Sequence, residues 1–289
     1  FRSTFLKLLG KKYNLWGVDP SAIKFKKNYK EMKLVHNFFS KKNIIKKNRN
    51  KEIKFKLISS FAIFYDVENP SKFCNDIEGL LDDNGIWICE FSYLPLMLKN
   101  LTFDQICHEH LTYYTFTVFE KIINNSGLKI IDCELNEING GSIEIIIVKN
   151  QSKRKKNVKK INKIKNDEKT INIKSYKNFE KRIYESKNKL KAFVNKNYPI
   201  AAYGASTKGN IVLNLSKLSS NQIEYICDSN KKKYGKFTPG SNIKIISKEK
   251  MRELNPKFLL VLIWSFRSEI IKQEINYLKK GGSLDRKST

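Results

Sequence analysis

The sequence predicts an α/β protein built from two domains, and three observations support this. An apolar segment at residues 14–19 (NLWGVD) ends in an acid and is followed by Pro20 and Ser21, which begin a predicted helix. The order of apolar strand, terminal acid and helix is typical of an open α/β sheet. A second unit of strand, glycine-containing loop, helix and strand follows at residues 200–228. The length of 289 residues also favours two domains.

The first predicted domain, residues 1–150, alternates helices and strands. Its helices are predicted at residues 4–12, 21–30, 71–81 and 117–126, and its strands at 14–19, 55–64, 86–91, 128–136 and 142–149. The DDNG segment at residues 82–85 predicts a tight turn, because Asp, Asn and Gly favour turns. Residues 41–54 are a run of Lys and Asn, which predicts a solvated helix or loop.

The rest of the chain predicts a connector and a smaller domain. Residues 151–196 are highly charged, with a helical pattern at 176–194, and are interpreted as a charged helical connector. Residues 197–289 form the predicted C-terminal α/β domain. Its predicted elements are strands at 200–203, 222–227 and 258–264 and helices at 210–218 and 266–279.

Composition narrows the function classes. The formal net charge of +28 would suit a polyanionic partner. However, Lys greatly outnumbers Arg, the residue that dominates nucleic-acid contacts, and no nucleic-acid-binding motif accompanies the charge. We therefore expect no nucleic-acid partner, although a non-catalytic basic protein that binds polyanions or nucleotides remains an alternative. No apolar stretch is long enough for a membrane span, so no membrane partner is expected.

The five cysteines are scattered and odd in number, which indicates reduced thiols and a cytoplasmic protein. The first residues, FRSTFLKLL, and the last, GGSLDRKST, suggest that both ends are truncated.

The strongest candidate site is FDQICHEHLTYYT at residues 103–115. It brings six chemically useful side chains close together in sequence: Cys107, His108, Glu109, His110, Tyr113 and Tyr114. A His beside a carboxylate suits general acid–base catalysis, since its pKa is near neutrality and its tautomer can be fixed. A structural His pair is the alternative. No metal site is expected, because zinc needs three or four ligands and no CxxC or HExxH spacing occurs.

Two acids follow predicted strands. Asp19, at the tip of its strand, is placed to accept hydrogen bonds from a ribose diol, and a helix N-cap is the alternative. Asp228 ends a strand at about the Rossmann spacing from the loop GASTKG at residues 204–209, which precedes a helix and favours anions. Lys208 of this loop would suit a sugar-nucleotide pyrophosphate, or would lie in solvent. Because GxGxxG is incomplete, a nicotinamide-dependent oxidoreductase is less favoured.

The chain resembles the class I S-adenosylmethionine-dependent methyltransferases, and within them the nucleotide-sugar C-methyltransferase group, over nearly its whole length. The resemblance is carried by GVDPS (17–21), FDQICHEHLTYYT, NGGS (139–142), YGASTKGN (203–210) and TPGSNI (238–243). It implies a Rossmann-like methyltransferase sheet followed by a C-terminal α/β domain that helps to bind the substrate. The implied cofactor is S-adenosylmethionine, and zinc is implied only in an N-terminal region that precedes this chain.

The resemblance also implies the reaction and the residues. A base removes a proton from the carbon beside the ketone of a nucleotide-linked 4-keto hexose, and the enolate attacks the methyl group. His110 matches the base and Glu109 its acidic neighbour, whereas the residues themselves leave His108 open as the base. Tyr113 and Tyr114 are expected to line the pocket. Asp19, Ser60 and Ala62 match the methyl-donor site. The substrate-binding candidates are Asp66, Cys107, Gly141, Ser142, Tyr203, Ser206, Lys208, Asn210 and Asp228.

Three departures from the family pattern accompany the resemblance. The first strand and its glycine loop are absent, with Ser3 where the last loop glycine is expected, which predicts weak methyl-donor binding. Cys107 replaces a Tyr and Asp66 replaces a His. Both positions lie near the reacting centre in the family, so the acceptor atom is left open. A charged Asp66 would alter the pKa of His110, and a plain turn residue is the alternative.

Overall fold

The computed structural model describes residues 12–22 and 32–286, and they form an α/β protein as the sequence predicts. The strands are β1 Trp16–Val18, β2 Lys33–Val35, β3 Phe55–Phe61, β4 Leu81–Ser92, β5 Leu128–Asn136, β6 Ser142–Lys149, β7 Ile200–Tyr203, β8 Ile223–Asp228, β9 Ile245–Ser247, β10 Phe258–Val261 and β11 Ser283–Arg286. The helices are α1 Lys41–Lys47, α2 Pro70–Leu80, α3 Leu94–Asn100, α4 Phe116–Asn124, α5 Val158–Glu168, α6 Ile173–Lys196, α7 Thr207–Leu215, α8 Lys248–Leu254, α9 Arg267–Gln273 and α10 Ile275–Lys279. Ser3 and most of the helices predicted at 4–12 and 21–30 lie outside the described residues.

Two compact units make up the chain. The first contains the described residues up to Tyr93, with Leu111–Asn136 and Ser142–Lys169. The second contains Leu94–His110, Glu137–Gly141 and the described residues from 170 onward. These units differ from the predicted domains, because residues 94–110 and 137–141 pack with the C-terminal half and α5 packs with β5. The domain limits at 150 and 196 stay a prediction.

The first unit contains two sheets. Strands β1 and β2 form a parallel pair, and four strands form a mixed sheet in the order β3-β4-β6-β5. Strands β3 and β4 are parallel, whereas β6 is antiparallel to both β4 and β5. A parallel α/β section therefore leads into a closing antiparallel hairpin, in agreement with the predicted element order.

An aromatic core holds the first unit together. Alternation along β4 places Trp87, Cys89 and Phe91 on one face, and all three are fully buried. Phe64 and Phe119 complete the cluster, with ring centroids 4.8 Å apart. Such offset and edge-to-face contacts stabilise a core beyond the area that they bury.

The DDNG segment lies inside strand β4 rather than before it. Phe55 pairs with Leu81 and Leu57 pairs with Ile86, so the register between the strands shifts there. Within the segment, the Asn84 amide donates to Asp82 Oδ1 at 3.0 Å. The turn chemistry was predicted correctly, but the turn forms a bulge in a paired strand.

The second unit contains a parallel five-stranded sheet in the order β11-β10-β7-β8-β9. The central strands β7 (IAAY) and β10 (FLLV) are apolar and largely buried, as expected for strands covered on both faces. Helix α3 packs on α6, and the Arg182 guanidinium donates to the Leu98 and Lys99 carbonyls at 3.0 Å each. These bonds satisfy carbonyls at the end of α3 and account for its place in this unit.

Candidate active site

The HEH segment belongs to the second unit. It follows a 3₁₀ turn, Phe103–Gln105, whose residues are buried. His108 and Glu109 are exposed, whereas Cys107 and His110 are half-buried. The His110 amide donates to the Cys107 carbonyl at 3.2 Å, which turns the chain back on itself and separates the two histidines into different environments.

The His110 ring is held in place and kept neutral. It forms a hydrogen bond with the backbone of Gln105. Burial lowers its pKa below the ordinary value of 6.5, the Lys208 charge lowers it further, and the Gln105 bond and Glu109 act in the opposite direction. An oriented imidazole that is neutral at pH 7 has the properties of a general base.

Gln105 connects His110 to the NGGS turn. Its side-chain amide donates to Thr102 Oγ1 at 3.0 Å and to the Asn139 carbonyl at 3.1 Å. Asn139 has a left-handed conformation, with φ 56°, which presents that carbonyl to the donors. Gly140 is required beside it, because a Cβ there would lie 2.7 Å from Thr102 Cγ2. Gly141 follows at φ 134°, a conformation that glycine alone adopts readily.

Lys208 approaches the same carbonyl from helix α7. Ser206 caps this helix by accepting from the Gly209 amide at 3.1 Å, so the helix begins three residues earlier than predicted. The Lys208 ammonium donates to the Asn139 carbonyl at 3.4 Å, and the side chain is half-buried rather than extended into solvent. Burial lowers the Lys208 pKa, and the charges of Asp104 and Cys107 oppose that shift. The structure thus places Lys208 beside His110.

Asp104 is a residue that the sequence interpretation missed. Its side chain is only 1% exposed, and neither carboxylate oxygen has a hydrogen-bond partner among the described residues. The available signal was an acid between the apolar residues Phe103 and Ile106, three positions before Cys107.

The other predicted substrate residues in the second unit have different environments. Asp228 accepts from the Asn230 amide at 2.8 Å and from Lys233 at 3.2 Å, and Lys233 also donates to the Ala205 carbonyl at 2.7 Å. This carboxylate therefore fastens the loop before α7, an arrangement that does not favour the ribose contact of an oxidoreductase. The Tyr203 ring lies in the apolar core of the sheet. Asn210 Oδ1 is buried with no hydrogen-bond partner in the described structure.

The methyl-donor candidates lie in the first unit. Asp19 directly follows β1, and its Oδ1 accepts from the Ser21 amide and hydroxyl at 2.8 Å each, as in the N-cap alternative. Ala62 follows β3 with φ 52°, and its amide donates to the Glu90 carbonyl at 2.9 Å. The Ser60 hydroxyl accepts from the buried Trp87 indole at 2.9 Å, so its side chain serves the core.

The remaining candidates of the first unit differ in exposure. Asp66 is exposed at the end of a short turn, and Tyr113 is half-buried. Tyr114 is buried in the aromatic core, with its ring centroid 5.1 Å from that of Phe64, and burial raises its pKa. Ser142 is fully buried at the start of β6. The geometry favours Tyr113 over Tyr114 as the residue that lines a pocket.

In residues 12–22 and 32–286, no three His, Cys, Asp or Glu side chains gather as metal ligands. No helix in this part of the chain is both long and apolar enough to cross a membrane.

Comparisons with known proteins fit this architecture. Residues 137–285, more than half of the chain, match the family model of the C-methyltransferase C-terminal domain, and residues 3–132 match a methyltransferase domain. The chain is 27% identical over 234 residues to the C-methyltransferase NovU of Streptomyces niveus. That match covers 78% of this chain and 56% of NovU, so the chain spans little more than half of this relative.

Two solved structures share a lower similarity. One is a chain of the complex between the Haloferax volcanii Trm112 methyltransferase activator and a putative methyltransferase, at 13% identity and TM-score 0.39, covering 51% of this chain and 78% of that one. The other is the plantazolicin methyltransferase BpumL with a pentazolic desmethylPZN analog and SAH, at 11% identity and TM-score 0.38, covering 51% and 72%. The fold assignment itself rests on the strand order and the family models.

Proposed function

The chain belongs to the C-methyltransferase C-terminal domain family, and on that premise we propose that it transfers a methyl group from S-adenosylmethionine to a carbon of a nucleotide-linked sugar. The chain has the Rossmann-like fold of class I methyltransferases, followed by a smaller α/β unit. The observation that supports the proposal best is His110, half-buried, oriented by Gln105 and neutral at pH 7.

His110 is the proposed base. It removes the proton from the carbon beside a ketone, and the electron pair moves towards the carbonyl oxygen to form an enolate. Exposed Glu109 is its neighbour, and His108 is the less favoured base because its side chain is exposed rather than half-buried. The S-adenosylmethionine cofactor, when bound, supplies an electrophilic methyl group to that carbon.

The first unit offers a fitting place for the cofactor. Asp19 directly follows β1, which runs parallel to β2, and Ala62 directly follows β3, which runs parallel to β4. Open α/β sheets bind ligands at the carboxyl ends of such parallel strands. The Asp19 carboxylate is oriented by Ser21 and only partly buried, and a carboxylate has capacity for further donors such as ribose hydroxyls. Ser60 contributes through the backbone of β3, since its hydroxyl is engaged with Trp87.

The substrate is proposed to be a nucleotide sugar. The net charge of +28 favours an anionic diphosphate. Cys107, Gly141 and Asn210 are proposed to contact the sugar portion. A cytoplasmic location is proposed as well, which the five free cysteines support.

Replacing the base tests this function. His110→Ala should lower methyl transfer to a nucleotide 4-keto hexose by about 100-fold or more, the usual contribution of a general base. Calorimetric affinity for S-adenosylhomocysteine should remain at the wild-type value, because the base does not hold the cofactor. His108→Ala is the matched control and should retain activity.

The opposite pattern would move the base to His108. Failure of the wild-type protein to bind S-adenosylhomocysteine and to methylate any nucleotide ketosugar would contradict the proposed function as a whole.

A further inference from the structure

Asp104 carries a buried carboxylate near the proposed base. Asp104 is 1% exposed, and both of its oxygens lack hydrogen-bond partners among the described residues. Burying an ionised carboxylate without a counter-charge costs several kcal/mol in a typical protein. A nearby cation would offset that cost.

Lys208 is that cation. The turn that carries Asp104 packs against helix α7, which carries Lys208 in its first turn. The Asp104 charge favours the protonated form of Lys208 and opposes the effect of burial on the Lys208 pKa. The pair thus balances two charges that would each be unfavourable alone.

The pair lies next to His110. The Lys208 ammonium and the Gln105 side chain both donate to the Asn139 carbonyl, at 3.4 Å and 3.1 Å. The backbone of the same Gln105 forms a hydrogen bond with the His110 ring, and the Lys208 charge lowers the pKa of that ring. Asn139 and Gln105 therefore connect the ammonium to the base.

We propose that Asp104 and Lys208 form a buried charge pair that holds the Lys208 ammonium as a hydrogen-bond donor to the oxygen of the substrate ketone. This inference rests on the proposed function and assigns the donor that its chemistry requires. His110 takes the proton from the carbon, the carbon–hydrogen electrons form the carbon–carbon double bond, and the carbonyl electrons move to the oxygen. Lys208 stabilises that oxygen by donating a hydrogen bond, without giving up its proton.

The pair argues against the phosphate role that the sequence suggested for Lys208. A lysine whose charge is already balanced by a buried carboxylate offers little attraction to a pyrophosphate, and the carboxylate itself repels phosphate. Asp104 is in this view a positioning residue, since it acts through Lys208.

Proton exchange separates these roles, because it needs no methyl transfer. Uridine and thymidine diphosphate 4-keto-6-deoxyhexoses are incubated with the protein in D₂O. NMR then follows the exchange of the proton for deuterium at the carbon beside the ketone. Lys208→Met should lower the exchange rate by about 100-fold, as for loss of an oxyanion donor. Its nucleotide-sugar dissociation constant should stay within about threefold of wild type. A more than tenfold weaker affinity with unchanged exchange in the bound state would overturn the proposal and make Lys208 a phosphate ligand.

A pH profile tests Asp104. In Asp104→Asn, the alkaline limb of the exchange rate should move to lower pH by about one unit or more, because an ammonium without its carboxylate loses its proton more readily. In the Lys208→Arg background the same Asp104→Asn change should leave the profile unmoved, since guanidinium does not titrate there. A folded Asp104→Asn protein with an unmoved alkaline limb would show that Asp104 is only structural.

Failure of the two proposals can be told apart. A wild-type protein that binds the ketosugars but exchanges no proton contradicts the proposed function itself. Wild-type exchange that survives in Lys208→Met contradicts only the role of Lys208. In the free protein, NMR titration of His110 should show a higher pKa in Lys208→Met than in Lys208→Arg, because the positive charge at this position lowers the His110 pKa. Equal pKa values would overturn the position of the Lys208 charge beside the base.

Discussion

His110 is the residue on which the proposed activity depends most directly. A base works in its deprotonated form, and burial lowers the pKa of His110 below its ordinary value of 6.5. The rate of proton abstraction should therefore be flat near pH 7 and should fall only as the pH drops through that lowered pKa. The measurement is the pH profile of exchange in D₂O, with His108→Gln as the control that keeps the same acid limb. An acid limb centred above pH 6.5 would contradict this assignment.

Some individual site residues were predictable from the sequence and others were not. The HEH motif predicted His110 as a base and the GASTKG loop predicted Lys208 as a phosphate ligand, because local sequence patterns mark both residues. Both roles stay predictions. Ser60, Tyr114 and Tyr203 were named as site residues, yet their side chains serve apolar cores. Each lies in or beside an apolar segment, where the residue types do not show which face meets the core. Asp104 was missed because only packing reveals that its carboxylate is buried.

Among the elements, helix α4 has a cap from outside its own sequence. Glu168, the last residue of α5, accepts from the Phe116 amide, from the Thr117 amide at 2.9 Å and from the Tyr93 hydroxyl at 2.6 Å. These bonds satisfy amide donors of the first turn of α4, next to the segment that carries Tyr113. Glu168→Gln keeps the shape but loses the charge, and should lower the free energy of unfolding by roughly 1–3 kcal/mol. Urea denaturation measures this.

Glu180→Gln is the matched control for that change. Glu180 is exposed on helix α6, so its substitution should alter stability by less than about 0.5 kcal/mol. Equal stability of Glu168→Gln and Glu180→Gln would mean that the cap contributes nothing to folding.

Element limits were predictable where apolar pattern and turn residues agreed. Strands β5, β6 and β7 have the predicted bounds, because alternating or continuous apolar residues end at polar turns. Helix α5 was predicted as part of the charged connector, because its sequence, VKKINKIKNDE, is highly charged and its buried residues are Ile161 and Ile164. The predicted helix at 266–279 is divided into α9 and α10 at Glu274, whose carboxylate accepts from Arg252 at 2.8 Å, a contact between distant parts of the chain.

At the scale of the whole molecule, the order of elements was predictable and the grouping into units was not. Parallel strands alternating with helices, then a closing hairpin, follow from the sequence pattern alone. The packing of α3 on α6 through Arg182 depends on residues more than 80 positions apart, at Leu98 and Lys99. Such a contact has no local signature, so residues 94–110 were assigned to the other domain.

Net charge is the property of the whole chain that gives the last prediction. A formal charge of +28 repels itself in the compact state, and salt screens that repulsion over about 10 Å at 0.1 M. Raising sodium chloride from 20 to 200 mM should increase the melting temperature by roughly 2–4 °C, the shift expected for about 1 kcal/mol in a chain of this size. Differential scanning fluorimetry measures it, with sucrose of equal osmolality as the control for nonionic effects.

If the charge instead served a polyanion site, a DNA oligonucleotide would bind with an affinity that falls steeply across the same salt range. Such binding would favour the polyanion-binding alternative, whereas salt stabilisation without it indicates that the lysines form a solvated surface.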